Sequence, residues 1–76
     1  MRRLRNILNA RRLPARQRAF AAQYLADAYL GEARRDPARR AVLLDSARYY
    51  AQRAVELNPR PEYRELLRSL QDTAPR

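Results

Sequence analysis

The stretch from Asp36 to Pro59, DPARRAVLLDSARYYAQRAVELNP, carries its own helix start and helix stop signals. Asp36 suits an N-cap, because its carboxylate can accept hydrogen bonds from the amides of a first turn, and Pro37 fits the first helical position. At the other end, Pro59 disfavours helical backbone at Asn58, so we expect the helix to end at about Leu57. The stretch therefore predicts one central helix.

Inside the central helix, apolar residues recur at intervals of three and four, which is the spacing of one helical face. These residues are Leu43, Leu44, Ala47, Tyr50, Ala51, Ala54, Val55 and Leu57. At 1.5 Å per residue the helix is about 30 Å long, enough to cross a small domain. Much of this face is alanine, so a neighbouring helix can approach closely, although each alanine contributes little buried area.

Two more helical patterns flank the central helix. A helix from Pro14 to about Arg35 precedes it, and the short junction between them makes the two helices antiparallel neighbours. Gly31 lies late in this pattern, where it either ends the helix early or lets a side chain approach closely. After Pro61 a third pattern closes the hairpin, with apolar residues at i, i+3, i+4 and i+7. Those residues are Tyr63, Leu66, Leu67 and Leu70.

The predicted fold class is all-α, an antiparallel helical hairpin with a third closing helix and a short basic N-terminal helix. The chain divides into a basic amphipathic N-terminal helix (1–13), a helical domain (14–72) and a flexible tail (73–76). Acidic and basic residues three apart on the helices predict ion pairs. The expected pairs are Asp45 with Arg48, Arg53 with Glu56, and Glu65 with Arg68.

Length and composition favour a small domain that relies on a partner. The 76 residues include neither Cys nor His, so no disulfide and no structural zinc can reinforce a core that is usually marginal at this size. No apolar run approaches the ~18 residues that span a bilayer, and Arg2, Arg3 and Arg5 are not followed by an apolar signal segment. We therefore expect a cytoplasmic protein of a bacterium.

The net charge of +9 is concentrated in the first 18 residues, which hold seven arginines and no acid. The seven are Arg2, Arg3, Arg5, Arg11, Arg12, Arg16 and Arg18, and we expect them to contact an anionic partner. The segment either packs its apolar edge on the hairpin, binds nucleic acid or the ribosome, or lies on an anionic membrane. A membrane surface is the least favoured, because the edge formed by Leu4, Ile7 and Leu8 is short and lacks an aromatic residue.

Tyrosine is the other functional candidate, because it is common at protein interfaces. Tyr29, Tyr50 and Tyr63 are interpreted as core residues with the hydroxyl at the rim, whereas Tyr49 lies off the apolar stripe and suits a surface contact. The protein-interface candidates are Tyr24, Tyr49, Leu4, Ile7 and Leu8.

The composition argues against catalysis. Without His, Cys or Lys the chain has no ordinary general base near neutral pH, no thiol nucleophile and no Schiff-base amine. The hydroxyls of Ser46, Ser69 and Thr73 have no activating group visible in the sequence. We expect no catalytic residue, no metal site, no cofactor and no small-molecule substrate.

Residues 25–59 resemble a tetratricopeptide repeat. The first helix contains LADAYL, with a leucine, a small residue and a tyrosine three later, and the second helix ends in ELNP. The matching positions are Leu25, Ala26, Tyr29, Ala47, Ala54, Glu56, Leu57, Asn58 and Pro59. One repeat is visible, and its span from Tyr29 to Ala47 is roughly nine residues longer than in the family's repeat of about 34 residues. The resemblance implies a helical protein-interaction module that holds a peptide or helix of a partner.

Two functional hypotheses follow from the sequence. The first is a small non-enzymatic adaptor or scaffold that binds another protein or a second copy of itself. The second is a nucleic-acid- or ribosome-binding protein that acts through residues 1–18. A weaker likeness of residues 13–27 to the opening helix of phage terminase small subunits, which bind DNA, belongs with the second hypothesis.

Overall fold

The computed structural model describes residues 2–72, which form four α-helices and one 3-10 turn. The helices are α1 (Arg2–Asn9), α2 (Ala15–Arg35), α3 (Arg40–Leu57) and α4 (Pro61–Asp72), and the 3-10 turn is Pro37–Arg39. The described residues contain no strand, so the predicted all-α class with a helical hairpin is confirmed. Met1 and the predicted flexible tail, 73–76, lie outside the described residues.

Helices α2 and α3 form the antiparallel hairpin. The first half of α2 packs against the last half of α3, where Ala22 and Ala54 share one core cluster. The last half of α2 packs against the first half of α3, where Ala33 and Leu43 share a second cluster. Small side chains let the two helix backbones approach closely along most of their length.

Alanine makes up most of the core. Among the described residues, eight of the fourteen buried hydrophobic side chains are alanine, and the largest fully buried ones are Leu25 and Leu70. Because an alanine removes little apolar surface from water, the hairpin gains less from burial than a leucine-filled pair of helices of the same length. The core is therefore as thin as the sequence predicts.

The two short helices are attached to the hairpin in the same way. Leu8 of α1 and Leu70 of α4 are both buried against it. An arginine of the hairpin then donates a hydrogen bond to a backbone carbonyl in each short helix, Arg18 Nε to Leu8 O at 2.8 Å and Arg48 Nε to Leu70 O at 3.2 Å. Both carbonyls lie in the last turn of their helix, where a cation also interacts favourably with the helix dipole.

Two helix ends differ from the sequence prediction. Helix α1 ends at Asn9 rather than at residue 13, because the chain turns at once towards Pro14, with Leu13 N donating to Ala10 O at 2.9 Å. The central helix begins at Arg40, after the 3-10 turn. Asp36 precedes that turn, but its side chain makes no capping hydrogen bond, so the predicted capping role is wrong.

The other local signals give mixed outcomes. Asn58 is extended (φ −155°, ψ 96°), as expected for the residue before a proline, and α3 ends at Leu57 as predicted. Gly31 does not end its helix, which continues to Arg35. The first two predicted ion pairs form, at 2.5 Å and 3.1 Å. Within residues 2–72, Glu65 and Arg68 do not form the third pair.

Candidate protein-interaction site

A groove of about 650 Å³ opens between α1, the first half of α2 and the start of α4. We call it the N-terminal groove. Its apolar lining comes from all three helices and consists of Leu4, Ile7, Phe20, Ala21, Tyr24 and Tyr63. Helix α1 supplies one wall because the 10–13 turn folds it back onto α2, and Pro61 begins α4 beside them. The volume is within the range of about 300–1,000 Å³ that is typical of ligand pockets.

Phe20 and Tyr24 form the most exposed part of the groove. They lie one helical turn apart on α2, and their rings contact each other with centroids 4.9 Å apart and planes tilted by 59°. Phe20 is 57% exposed and Tyr24 is 53% exposed. Large exposed apolar side chains that line a concavity are typical of binding surfaces. Here the pair forms one wall of an apolar channel whose other wall is α1.

The polar lining of the N-terminal groove is basic or neutral. It consists of Arg16, Gln17, Asn58 and Arg60, and no carboxylate of residues 2–71 lines the groove. Arg60 lies 3.5 Å from the Glu62 carboxylate, in an exposed pair that solvent screens strongly. Arg16 forms no ion pair among residues 2–72. The site therefore combines an apolar interior with cations at its edge.

The seven candidate arginines serve different purposes. Arg18 donates to the Leu8 carbonyl, and Arg5 Nη2 donates to the Tyr29 hydroxyl at 2.6 Å, so both hold α1 on the hairpin. The remaining five are exposed and have no carboxylate partner within residues 2–72; they are Arg2, Arg3, Arg11, Arg12 and Arg16. The structure thus divides a group that the sequence treats as uniform.

A row of aromatic rings lies behind Arg5. The rings of Tyr29 and Tyr50 are parallel, with centroids 5.7 Å apart, and Tyr49 meets Tyr50 edge-on at 5.0 Å. The hydrogen bond to Tyr29, together with the electrostatic effect of Tyr29 and Tyr50, raises the pKa of Arg5 above its ordinary value. The hydrogen bond between Arg5 and Tyr29 helps to hold α1 on the hairpin.

The interface candidates fall in three places. Leu4, Ile7 and Tyr24 come together in the N-terminal groove. Leu8 is only 3% exposed and belongs to the core, so it does not face a partner. Tyr49 lies on a different surface, beside Gln52, Arg53 and Glu56.

Phe20 is the main groove residue that is absent from the interface candidates drawn from the sequence. Its spacing from Tyr24 is a signal that was available. An aromatic pair at i and i+4, outside the buried stripe of the same helix, forms an exposed aromatic ridge.

No group of three or more His, Cys, Asp or Glu side chains within residues 2–72 is arranged to hold a metal ion. None of the described helices has the length and apolar character needed to cross a membrane. Comparison with protein-family models, with curated proteins and with solved structures finds no match to this chain.

Proposed function

We propose that this protein is a small non-enzymatic interaction module, an adaptor or scaffold, that binds another protein through the N-terminal groove. The observation that carries the proposal is the exposed Phe20–Tyr24 pair facing Leu4 and Ile7 across an apolar channel. Aromatic side chains have few rotatable bonds and large apolar area, so they lose little conformational entropy when a partner covers them.

The size of the apolar surface supports this proposal. Aromatic side chains bury about 150–250 Å² each, so covering the exposed halves of two rings removes roughly 200 Å² from water. At about 25 cal/mol per Å², that burial contributes roughly 5 kcal/mol before the costs of association are subtracted. Contacts with Leu4 and Ile7 add to this figure. Because association itself costs about 4–15 kcal/mol, the aromatic pair would hold a partner together with these further contacts.

We further propose that the hairpin is tetratricopeptide-like, and this proposal has narrower support. The alanines expected at tight crossings, including Ala26, Ala47 and Ala54, are buried between helices, and a further helix follows the ELNP ending. This is the arrangement that a repeat of the family would need in order to stack its helices.

We also propose a bacterial cytoplasmic location, which fractionation of the source cells would test.

Affinity capture with matched variants tests the proposed function. Wild-type protein, Phe20→Ala/Tyr24→Ala and Tyr49→Ala are immobilised and exposed to a lysate of the source cells. Tyr49 is 59% exposed and lies outside the groove, so its variant is the control for losing an exposed aromatic ring. We expect a protein that the wild type and the control retain and that the groove variant loses.

Equal retention by the groove variant would contradict the proposal, and loss with Tyr49→Ala alone would move the binding surface to the other face. Light scattering of the purified variants decides whether the partner is a second copy. A wild-type dimer that becomes monomeric in Phe20→Ala/Tyr24→Ala would identify self-association through the groove.

A second candidate function is nucleic-acid or ribosome binding. The supporting observation is that Arg2, Arg3, Arg11 and Arg12 are exposed and have no carboxylate partner within residues 2–72. Each contact between an arginine and a phosphate makes affinity more sensitive to salt, because it releases condensed counterions. A membrane role is less supported, because Leu8 packs in the core and Leu4 and Ile7 pack against it.

The nucleic-acid alternative is tested with a labelled 20-nucleotide RNA and glutamine substitutions rather than by truncation, because removing residues 1–18 would also remove Leu8 from the core. Replacing Arg2, Arg3, Arg11 and Arg12 should lower the slope of log affinity against log salt by roughly three. The charge-matched control replaces Arg34, Arg35, Arg39 and Arg64. An equal effect of both variants would indicate non-specific attraction to a basic protein.

A further inference from the structure

We propose that the N-terminal groove binds an acidic peptide segment of another protein, with large apolar side chains in the channel and Asp or Glu residues at its edge. This inference rests on the proposed function and adds the chemistry of the partner. It follows from the distribution of charge around the groove.

Arginines line the groove at two of its edges. Arg16 lines it from the first turn of α2, and Arg60 lines it from the connection between α3 and α4. Among the described residues no carboxylate lines the groove, and solvent screens the exposed Arg60–Glu62 pair, so an acidic flank meets positive charge at both edges.

A second copy of the chain is a poor occupant of the groove. A symmetric contact places the same surface patch on both subunits, so Arg16 and Arg60 of both copies would lie in one interface. Screening extends over about 8 Å at physiological ionic strength, which is longer than contact distance, so this repulsion would persist. A negatively charged partner would be attracted to the same arginines that repel a second copy.

Nucleic acid fits the edge of the groove but not its interior. Phosphates could meet Arg16 and Arg60, but the channel between them is lined by Leu4, Ile7 and Ala21. The polar edges of a base would lose hydrogen bonds to water in that aliphatic channel without gaining partners there. Apolar side chains of a peptide lose nothing in the same place.

The Phe20 and Tyr24 rings also favour a side chain over a base. The ring centroids are 4.9 Å apart and the ring planes are tilted by 59°, so a base cannot insert between the two rings. An aliphatic or aromatic side chain can instead pack across both rings and against Ile7. The partner segment therefore needs at least one large apolar residue with acidic residues near it in sequence.

The test uses a random 16-residue peptide library displayed on phage and selected on the full-length protein. The strongest selected peptide is then synthesised with a fluorescent label, and its affinity is measured by polarisation. Two variants are compared, Arg16→Gln/Arg60→Gln at the groove and Arg34→Gln/Arg39→Gln at the far end of the hairpin. Both lower the net charge by two, and circular dichroism verifies that each is folded.

We expect selected peptides to be enriched in Asp and Glu beside large apolar residues. Affinity should fall about three- to tenfold in Arg16→Gln/Arg60→Gln and less than about twofold in the control. The inference would be overturned by selected peptides that are apolar, lack acidic enrichment and bind both variants equally. The proposed function of the groove would stand in that case. Selected peptides that bind Phe20→Ala/Tyr24→Ala as well as the wild type would overturn the proposed function itself.

A labelled 12-nucleotide single-stranded DNA is the competing probe. If it binds and loses affinity in both the Arg16→Gln/Arg60→Gln and Phe20→Ala/Tyr24→Ala variants, while no acidic peptide is selected, the groove is a nucleic-acid site and the inference is wrong. If DNA binding falls equally in Arg16→Gln/Arg60→Gln and in Arg34→Gln/Arg39→Gln, it depends on net charge alone. That result, together with the selection of acidic peptides, supports the inference.

Discussion

Arginine has two roles in this protein, and the contacts of each guanidinium tell them apart. Arg5, Arg18 and Arg48 donate hydrogen bonds to groups on neighbouring helices. Arginine suits this role because its planar head reaches a carbonyl while its aliphatic stem lies along apolar surface. In the part of the chain that the structure describes, the exposed arginines Arg2, Arg3, Arg11, Arg12 and Arg16 have no such partners, so they are available to anions. Counting charges therefore overstates how many of them can bind a ligand.

Replacing Arg18 by alanine should lower the free energy of unfolding by about 1–2 kcal/mol. The substitution removes a charge-assisted hydrogen bond to the Leu8 carbonyl in the last turn of α1. Urea denaturation followed by circular dichroism measures the change. Arg16→Ala, an exposed neighbour, is the control and should stay within about 0.5 kcal/mol of the wild type. Equal stability of the two variants would mean that the hydrogen bond contributes nothing.

Gly31→Ala should stabilise the protein by about 0.5–1 kcal/mol, because alanine restricts the unfolded chain and favours helix. Gly31 has ordinary helical backbone, and a β-carbon added there would meet only the Arg35 side chain, at 3.7 Å. The midpoint of thermal unfolding measures the gain. A lower midpoint would show that the last half of α2, which lies away from the groove, needs the flexibility of glycine.

At the scale of elements, the contact between α2 and α3 depends on side-chain size. Ala26, Ala47, Ala51 and Ala54 are fully buried where the two helices face each other. Alanine there sets the distance between the backbones, so the interface has no space for longer side chains. This close contact compensates partly for the small area that each residue buries, because many atoms reach van der Waals distance.

Ala51→Leu should destabilise the protein by about 1–3 kcal/mol, because the added atoms force the helices apart. Ala51 is fully buried, whereas Ala41 on the same helix is exposed. Ala41→Leu is therefore the matched control, and it should change stability by less than about 0.5 kcal/mol. Chemical denaturation measures both. A stable Ala51→Leu variant would indicate a looser crossing than the structure describes.

At the scale of the whole molecule, the protein is compact but shallow. Its radius of gyration is 12.1 Å, close to the value of about 11 Å expected for a folded chain of this length. Its shortest dimension is 14 Å, which corresponds to two layers of helices. Two layers leave much of every helix at the surface, where a partner can bind. A partner that binds only the folded state would stabilise it.

Leu8→Ala should destabilise the entire domain by about 2–4 kcal/mol, because Leu8 is buried in a core cluster that all the helices around the groove share. Unfolding should remain a single transition when it is followed by both circular dichroism and tyrosine fluorescence. Leu4→Ala, at a half-buried groove position, should cost less. Two separate transitions would mean that α1 is an independent arm.

The agreement between sequence and structure is closest where the chain uses proline and helical periodicity. Asn58-Pro59 ends α3 at Leu57, and Pro61 begins α4, because the proline ring restricts the local backbone whatever packs nearby. The alanine stripe also identified the buried face of the hairpin, since burial repeats with the helical period. The capping signal was less reliable, because the Asp36 side chain makes no hydrogen bond to the first turn.

The sequence by itself therefore determined the helices, their antiparallel hairpin and the concentration of charge in residues 1–18. Only the tertiary structure decided which members of that segment are internal and which face a partner. Leu8 resembles Ile7 in the sequence, but Leu8 is buried in the core and Ile7 lines the groove. Arg18 likewise resembles Arg16, but Arg18 donates to the Leu8 carbonyl and Arg16 lines the groove. Local patterns depend on backbone restrictions and period, whereas a groove depends on how separate helices meet in space.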